Sequence, residues 1–335
     1  MSWAEKRRFA VAALLFLALA TQTALGSYGQ AAGVWITSVS LVAGAVLLRN
    51  RQWEPVALLA AAAATMRFGF LFEGFSDPIT VAQAAGARAL GGLNPYGVGY
   101  AESSPPGAPF PYGPLALLWW QPGPVVELVA AMGLLALLAW QRAFITLAVL
   151  GGWQAAVHTT TMGANDYSPA VLVVLGLIVL RTNRYAGGCL LAAAAALKPY
   201  AFAWFVPATG FGGVTAAVAL VSTTVVLWTP VLFVWGVASF LESIRQASAL
   251  PHHVAGAHSL NMPALRILAL PLEIAGLWTR RWEYCLLIGS GVFIIVMFLA
   301  QWATYSYWIA VIPPTGLALE SLWQGQFEER RRNSS

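Results

Sequence analysis

Asp77 is the first candidate for chemistry in this sequence, because it follows directly on a long, mostly apolar run. The stretch FEGFSDPIT also places Glu73 four residues before it. An aspartate partly shielded from water at the mouth of a cavity can accept the proton of a hydroxyl group as a general base. Asp166, within NDYSP, precedes another apolar run. Each aspartate could equally cap a helix N-terminus, and Pro78 suits the first helical position, so spacing alone leaves base and cap both open.

Four basic residues could supply the complementary positive charge: Lys198, Arg88, Arg266 and His258. Lys198 is the deepest of them, and a charge at the centre of a bilayer costs at least ~2.5 kcal/mol, so such residues are generally kept for a use. Together these groups could bind an anion, and the natural anion at a membrane surface is a lipid phosphate or diphosphate. The simpler interpretation is that Lys198 extends to the surface and Arg266 ends a membrane span.

The sequence predicts no metal site and no cofactor. His252, His253 and His258 do not follow a known zinc spacing, and no acid lies at a fixed helical offset from them. A glycine-rich phosphate loop, an HExxH motif and a Ser-His-Asp order are also missing from the sequence. The two cysteines, Cys189 and Cys285, lie in apolar stretches, so we interpret them as core residues without a disulfide.

The elements that must position these residues are membrane helices. Hydrophobic residues make up 59% of the 335 positions and charged residues only 9%, which no water-facing surface could keep soluble. The apolar runs predict an all-α, polytopic transmembrane bundle of about 10–12 helices in a single domain, 1–335. A β-barrel would show alternation instead. The candidate spans are 9–25, 30–48, 54–72, 113–140, 143–160, 167–181, 185–197, 199–209, 212–238, 263–279, 283–301 and 304–321.

The Lys198-Pro199 pair is predicted to break one apolar run into two helices, because proline removes a helix hydrogen bond and disfavours helix at the preceding residue. One continuous helix is the alternative. The N-terminal run after Lys6 could be a cleaved signal peptide instead of a first helix, and either places the N-terminus in the cytoplasm.

Basic residues set the orientation of the bundle. The net charge is +5, but the basic residues are scattered in pairs at helix ends, which argues against a nucleic-acid partner. With the break, most basic residues fall on one side of a plasma membrane, and the positive-inside rule assigns that side to the cytoplasm. Chemistry would then belong to the opposite, non-cytoplasmic face. The cytoplasmic set is Lys6, Arg7, Arg8, Arg49, Arg51, Arg142, Arg181, Arg184, Arg280, Arg281 and Arg330 to Arg332.

Two non-cytoplasmic segments, 73–112 and 239–262, are longer than simple connections. In the first, ITVAQAAGARAL predicts an amphipathic helix lying in the membrane interface, with Gln83 at the edge of its apolar face and Arg88 opposite. GGLNPYG then predicts a turn, and SSPPGAPFPYGP a structured loop over a cavity. The second segment holds the three histidines. The apolar face of the predicted helix comprises Ile79, Ala82, Gly86 and Leu90.

Four motifs occur in order: SDPITVAQAAGARALGGLNPYG, FPYGPLALL, GANDYSPAVLVVLGLIVLRTNR and AGGCLLAAAAALKPYAF. In this order they resemble the GT-C superfamily of membrane glycosyltransferases, and most of all the polyprenol-phosphate-mannose-dependent mannosyltransferases of glycosyltransferase family 87. The resemblance covers 66–210 and continues more weakly through HSLN at 258–261. Its most specific elements are the D-P with a downstream N-P-Y, and the K-P.

The resemblance implies that Asp77 is the catalytic base and that a sugar passes from a polyprenyl-phosphate donor to a lipid or glycan acceptor, with inversion and without a metal. The chain departs from the family in one respect. Three candidate helices precede its acid loop, whereas members of the family commonly have one. A multi-pass transporter or flippase is the alternative function, although the missing repeat symmetry and the polar features on one face argue against it. For the glycosyltransferase function, the predicted donor-phosphate residues are Lys198, His258, Arg88 and Arg266, and the predicted substrate-binding residues are Glu73, Asn94, Tyr96, Tyr112 and Asp166.

Overall fold

A computed structural model describes residues 3–26, 57, 59–64, 77–104, 106–161, 164–249, 259–300 and 303–333. Parts of the sequence prediction lie outside these residues: Glu73, His252, His253, His258, the span 30–48 and most of the span 54–72.

The described residues are mostly helical, which confirms the all-α class. The α-helices are α1 (Trp3–Gly26), α2 (Asp77–Leu90), α3 (Ala116–Trp119), α4 (Val125–Trp140), α5 (Phe144–Gly152), α6 (Gln154–Thr161), α7 (Tyr167–Val179), α8 (Arg184–Leu197), α9 (Phe205–Trp235), α10 (Val237–Ser248), α11 (Ala269–Leu277), α12 (Trp282–Phe298) and α13 (Trp308–Asn333). Short 3-10 helices lie at Pro199–Trp204, Pro263–Leu268 and Tyr305–Tyr307, and a small antiparallel hairpin pairs β1 (Gly99–Tyr100) with β2 (Ala108–Pro109).

In the described part of the chain, one helical segment, Pro199–Trp235, is long and apolar enough to cross a membrane. Helices α4, α7, α8 and α12 are apolar but shorter. The long segment exposes a stripe of large apolar side chains. An exposed apolar patch of this kind marks a surface that contacts a membrane or another protein. The number of membrane crossings stays a prediction. The stripe includes Val214, Val218, Val221 and Val225.

The predicted break at Lys198-Pro199 is confirmed. Helix α8 ends at Leu197, and Lys198 has an extended backbone with φ −132° and ψ 122°. The proline then begins a 3-10 helix, since it lacks the N–H that would continue α8. Gly213, with φ 67°, makes a second break inside α9, close to where the sequence separates two apolar spans.

Two predicted spans are interrupted where the sequence indicated one helix each. The span 113–140 contains α3 and α4, separated by a turn in which Gly123 has φ 85°, a conformation that glycine adopts without strain. The span 143–160 is divided at Trp153, whose extended backbone ends α5. A continuous apolar run does not reveal such breaks, because burial and helix continuity are separate properties of the chain.

Helices α7 and α8 run side by side in opposite directions and position the central residues of the site. A Cβ atom on Gly176 or Gly187 would meet the facing helix, so small residues let the two backbones approach. At a rise of 1.5 Å per residue, the 13 residues of α7 span about 20 Å. Asp166 and Lys198 lie at one end of this pair of helices, and Arg181 lies at the other.

Several chain segments meet at the end of the α7 and α8 pair that lies opposite Asp166. Arg142, just before α5, forms an ion pair with Glu5 in α1, with 2.8 Å between the charged atoms. The backbone N–H of Thr146 in α5 donates to Glu320 in α13, also at 2.8 Å. The start of α5 therefore lies next to both the start of α1 and the middle of α13.

Helix α12 begins at this same end, opposite Asp166. Ser321, next to Glu320, donates a hydrogen bond to Glu283 at 2.9 Å. The Arg181 guanidinium lies over the Trp282 ring, 4.6 Å from its centre. Arginines from separate segments that the sequence assigned to the cytoplasm are thus brought to one end of the bundle.

Helix α2 has the amphipathic face that its sequence predicts, except at its last residue. Ile79, Ala82 and Gly86 are buried, whereas Leu90 is exposed. A Cβ atom on Gly86 would meet the carbonyl of Leu117, so this glycine lets α2 pack directly on α3.

The segment between α2 and α3 forms an ordered loop, as its glycines and prolines predict. Gly92 and Gly97 have φ values of 75° and 72°, which suit glycine at tight turns. The loop is held by α10, where Asn94 Nδ2 donates to Ser239 Oγ at 2.9 Å and the N–H of Gly97 donates to Ser243 Oγ at 2.7 Å. The sequence treated 239–262 as a loop, so α10 is a helix that the prediction missed.

Candidate active site

Asp77 is the first residue of α2, and the loop that follows α2 fixes its side chain. Its Oδ2 accepts a hydrogen bond from the backbone N–H of Ser104 at 2.9 Å. Its backbone carbonyl accepts one from Thr80 Oγ1 at 2.8 Å. The residue is half-buried. Among the described residues, the carboxylate is therefore held across the loop and partly shielded from water.

The backbone of the loop brings Tyr112 to the end of α8. The N–H of Gly113 donates to the carbonyl of Leu197 at 3.2 Å, and the N–H of Leu115 donates to that of Ala196 at 2.9 Å. A Cβ atom on Gly113 would meet the backbone of Ala196. Only glycine allows this approach, which sets the position of the preceding tyrosine.

Tyr112 lies near charged groups that the sequence singled out. Its ring centre is 5.2 Å from Lys198 Nζ. Burial is the main cause that raises the pKa of Tyr112; the negative charges of Asp166 and Asp77 raise it further, and a contact with Asn165 opposes them. Both aspartates are therefore within electrostatic reach of one hydroxyl group.

Lys198 and Asp166 form a buried ion pair, with 2.7 Å between Nζ and Oδ1. Their side chains are 5% and 2% exposed, respectively. The hydroxyl of Tyr200 donates to the same carboxylate oxygen at 3.3 Å. The interpretation that Lys198 extends to the surface is therefore wrong, because its ammonium turns inward to a buried partner.

Three tyrosine rings surround the Lys198 ammonium. The ring centres of Tyr112, Tyr200 and Tyr307 lie 5.2, 5.6 and 5.8 Å from Nζ. An ammonium near an aromatic face is attracted by the negative charge of the ring face. Phe293 packs against Tyr200 with 4.9 Å between ring centres. One carboxylate and three aromatic rings thus offset the cost of burying this cation.

Glu127 is a fully buried acid that the sequence analysis did not single out. From the first turn of α4, it accepts hydrogen bonds from Trp120 Nε1 at 2.7 Å and from the N–H groups of Tyr167 and Ser168 at 2.7 and 3.2 Å. Asp166 occupies the N-cap position of α7 but makes no capping hydrogen bond. The interpretation of its side chain as a cap is therefore wrong, because Glu127 takes those N–H groups.

Three other predicted site residues build the loop. Arg88 Nε donates to the carbonyl of Asn94 at 2.7 Å, and Asn94 Oδ1 accepts from the N–H of Tyr96 at 2.9 Å. Tyr96 is buried, and its ring packs against Phe240 of α10 with 5.4 Å between ring centres. In the described chain, these contacts join the loop to itself and to its neighbouring helices.

Arg266 is exposed in the 3-10 helix Pro263–Leu268 and makes no ion pair with any described residue. Glu73 and His258 lie outside the described residues, so their predicted roles stay predictions. No group of three or more metal-binding side chains comes together in the part of the chain that the structure describes. Of the predicted site residues, Tyr112, Lys198 and Asp166 lie together, and the Asp77 carboxylate is within electrostatic reach of Tyr112.

Comparisons with known proteins return no similarity. No protein-family model matches the chain, and no curated protein or solved structure matches it.

Proposed function

We propose that this chain is an integral membrane glycosyltransferase of the GT-C type, with a polyprenyl-phosphate sugar as donor and Asp77 as general base. The observation that carries the proposal is the position of Tyr112, whose ring faces Lys198 and whose hydroxyl group is within electrostatic reach of Asp77 and Asp166. A base and a cation near the same residue suit a reaction that removes a proton at one point and develops negative charge at another.

Two further features support the membrane setting. The chain is 59% hydrophobic, and the long segment Pro199–Trp235 exposes an apolar stripe. The arginines lie at the opposite end of α7 from Asp166, which suits a site on the non-cytoplasmic face.

In the proposed reaction, the acceptor hydroxyl oxygen attacks the anomeric carbon of the donor sugar. The bond between that carbon and the phosphate oxygen breaks, and its electron pair leaves with the phosphate. The hydroxyl proton passes to the Asp77 carboxylate. Attack from the side opposite the phosphate inverts the anomeric configuration, and the products are the glycosylated acceptor and polyprenyl phosphate.

Lys198 would stabilise the leaving phosphate. A phosphate diester carries one negative charge, and the released monoester carries about −1.5 to −2 near neutral pH. A nearby cation therefore favours the later stages of bond breaking over the bound donor. An ammonium has three N–H donors, of which Asp166 takes one at 2.7 Å.

The test uses the purified full-length chain in nanodiscs, with radiolabelled polyprenyl-phosphate mannose and other sugars, and with membrane lipids as acceptors. Asp77→Asn is expected to lower turnover by ~10²- to 10⁴-fold while donor binding persists, because a lost base affects the transition state. The matched control is Glu102→Gln, an exposed acid in the same loop, which should keep the wild-type rate.

The outcomes separate the alternatives. Transfer at the wild-type rate by the Asp77→Asn variant would exclude Asp77 as the base. Transfer that disappears with EDTA would point to a metal at the three histidines. Movement of the donor lipid across a proteoliposome without any sugar transfer would support the transporter.

A further inference from the structure

Two buried glutamates cap helices to which they do not belong. Glu127 of α4 accepts the first two N–H groups of α7 at 2.7 and 3.2 Å. Glu320 of α13 accepts two N–H groups in the first turn of α5, at 3.3 and 2.8 Å. Neither α5 nor α7 has a capping side chain at its own N-cap position.

At α7 this arrangement decides what Asp166 can do. An aspartate at an N-cap position normally accepts the N–H of the second or third helical residue. Asp166 has this position, and Ser168 is the second residue of α7. Glu127 already bonds to Ser168, so the Asp166 carboxylate is left to bind Lys198.

We propose that Glu127 is a positioning residue of the site: by capping α7 from another helix, it releases Asp166 to hold the Lys198 ammonium. Its importance for sugar transfer rests on the proposed function, whereas its effect on Lys198 does not.

The consequence of losing Glu127 follows from the same contacts. The N–H groups of Tyr167 and Ser168 would be buried without an acceptor, which a folded protein avoids. Asp166 is the adjacent residue, and its carboxylate is the nearest acceptor along the chain. We expect Asp166 to turn to the helix N-terminus and to leave Lys198 without its partner.

The experiment observes Lys198 directly. The chain contains two lysines, Lys6 and Lys198, so selective labelling with lysine carrying ¹⁵N at Nζ gives two side-chain signals that can be assigned with Lys6→Arg. Asp166→Leu supplies the reference position for a Lys198 ammonium without its partner. In Glu127→Leu, which removes both acceptor oxygens, the Lys198 signal is expected to shift to that reference position or to be lost through faster proton exchange.

Glu320→Leu is the matched control, because it removes the other helix cap without touching Asp166. Both variants should lower the melting temperature, but only Glu127→Leu should move the Lys198 signal. A wild-type Lys198 signal in Glu127→Leu would overturn the proposal. If that variant does not fold, Glu127→Asp takes its place, since it keeps the charge but shortens the reach, and the same comparison applies.

Activity is measured separately. With the donor of the proposed reaction, Glu127→Leu is expected to lower turnover by up to ~10²-fold because it displaces Lys198, while Glu320→Leu keeps the wild-type turnover. A shifted Lys198 signal in a chain that transfers no sugar would retain the positioning role and reject the glycosyltransferase. An unshifted signal in an active enzyme would do the reverse.

Discussion

Lys198 and Asp166 lie 32 positions apart in sequence and meet as a buried pair. Removing two charges from water is costly, and the attraction between them recovers this cost only when both are present. Loss of either leaves the other charge buried among tyrosine rings. The two residues therefore act as one unit in the stability of the fold.

Lys198→Met and Asp166→Leu are each expected to lower the free energy of unfolding by about 3–5 kcal/mol, because each leaves an unpaired buried charge. The double variant should lose less than the sum of the two. Unfolding in detergent, followed by tryptophan fluorescence, gives the values. The exposed Lys6→Met serves as control, with an expected change within about 0.5 kcal/mol. Fully additive losses would mean that the two charges do not interact.

The sequence could select Asp166 and Lys198, because polar groups next to apolar runs stand out. It could not show that they pair, since their contact depends on how α7 and α8 pack. Glu127 was missed for a similar reason: an acid in the first turn of a helix is ordinarily explained by the dipole of that helix. The N–H groups that Glu127 binds are 40 and 41 positions away.

At the scale of elements, the approach of the loop to α8 is central. The loop and the end of α8 are joined by backbone hydrogen bonds at Gly113 and Leu115. These bonds use the carbonyls of Leu197 and Ala196, which the break at Pro199 leaves without helical partners. The break therefore both ends α8 and creates the surface on which the loop is seated.

Gly113→Ala should disrupt this seat, because its Cβ atom would meet the backbone of Ala196. We expect a loss of about 1–3 kcal/mol in the free energy of unfolding, typical of overpacking. The matched control is Gly133→Ala within α4, where the nearest atom is a Val171 methyl carbon at 3.6 Å, an ordinary contact. That change should be neutral or stabilising by up to about 1 kcal/mol. Equal stabilities of the two variants in thermal unfolding would contradict the close approach.

Local rules predicted several elements well. Pro199 predicted the end of α8, and the amphipathic pattern of ITVAQAAGARAL predicted α2. Helix α10 was missed because the polar residues and histidines of 239–262 indicated a loop. Its contact with the first loop through Ser239 and Ser243 has no local signal, because serines are common in exposed segments.

At the scale of the molecule, composition correctly predicted a helical protein but not how the apolar runs divide into helices. Breaks at Gly123 and Trp153 depend on tertiary packing, which apolar periodicity does not record. The predicted sidedness of the basic residues stays a prediction. In the described part of the chain, contacts of Arg142 with Glu5 and of Arg181 with Trp282 hold two of them at one end of the helices.

This grouping gives a topology prediction. In a background that replaces Cys189 and Cys285, a cysteine introduced at position 182 should label from the cytoplasmic side, and one at position 245 from the opposite side. Position 182 adjoins Arg181 at the basic end, and position 245 lies in α10, which holds the loop of the site. A membrane-impermeant thiol reagent applied to intact cells and to inverted vesicles measures both. Labelling of both positions from one side would reject the predicted orientation.

The serines that hold the loop are synthesised long after it. Asn94 and Gly97 bind partners that follow 145 and 146 positions later. At about 5–20 residues per second, the ribosome needs roughly 7–30 s to make that interval. We expect the loop to be cut by protease in nascent chains arrested before α10, and to be protected in chains arrested after α12. Equal cleavage of the two would exclude this order. On this timetable, Asp77 is synthesised long before the loop beside it is held in place, so the candidate site is complete only near the end of translation.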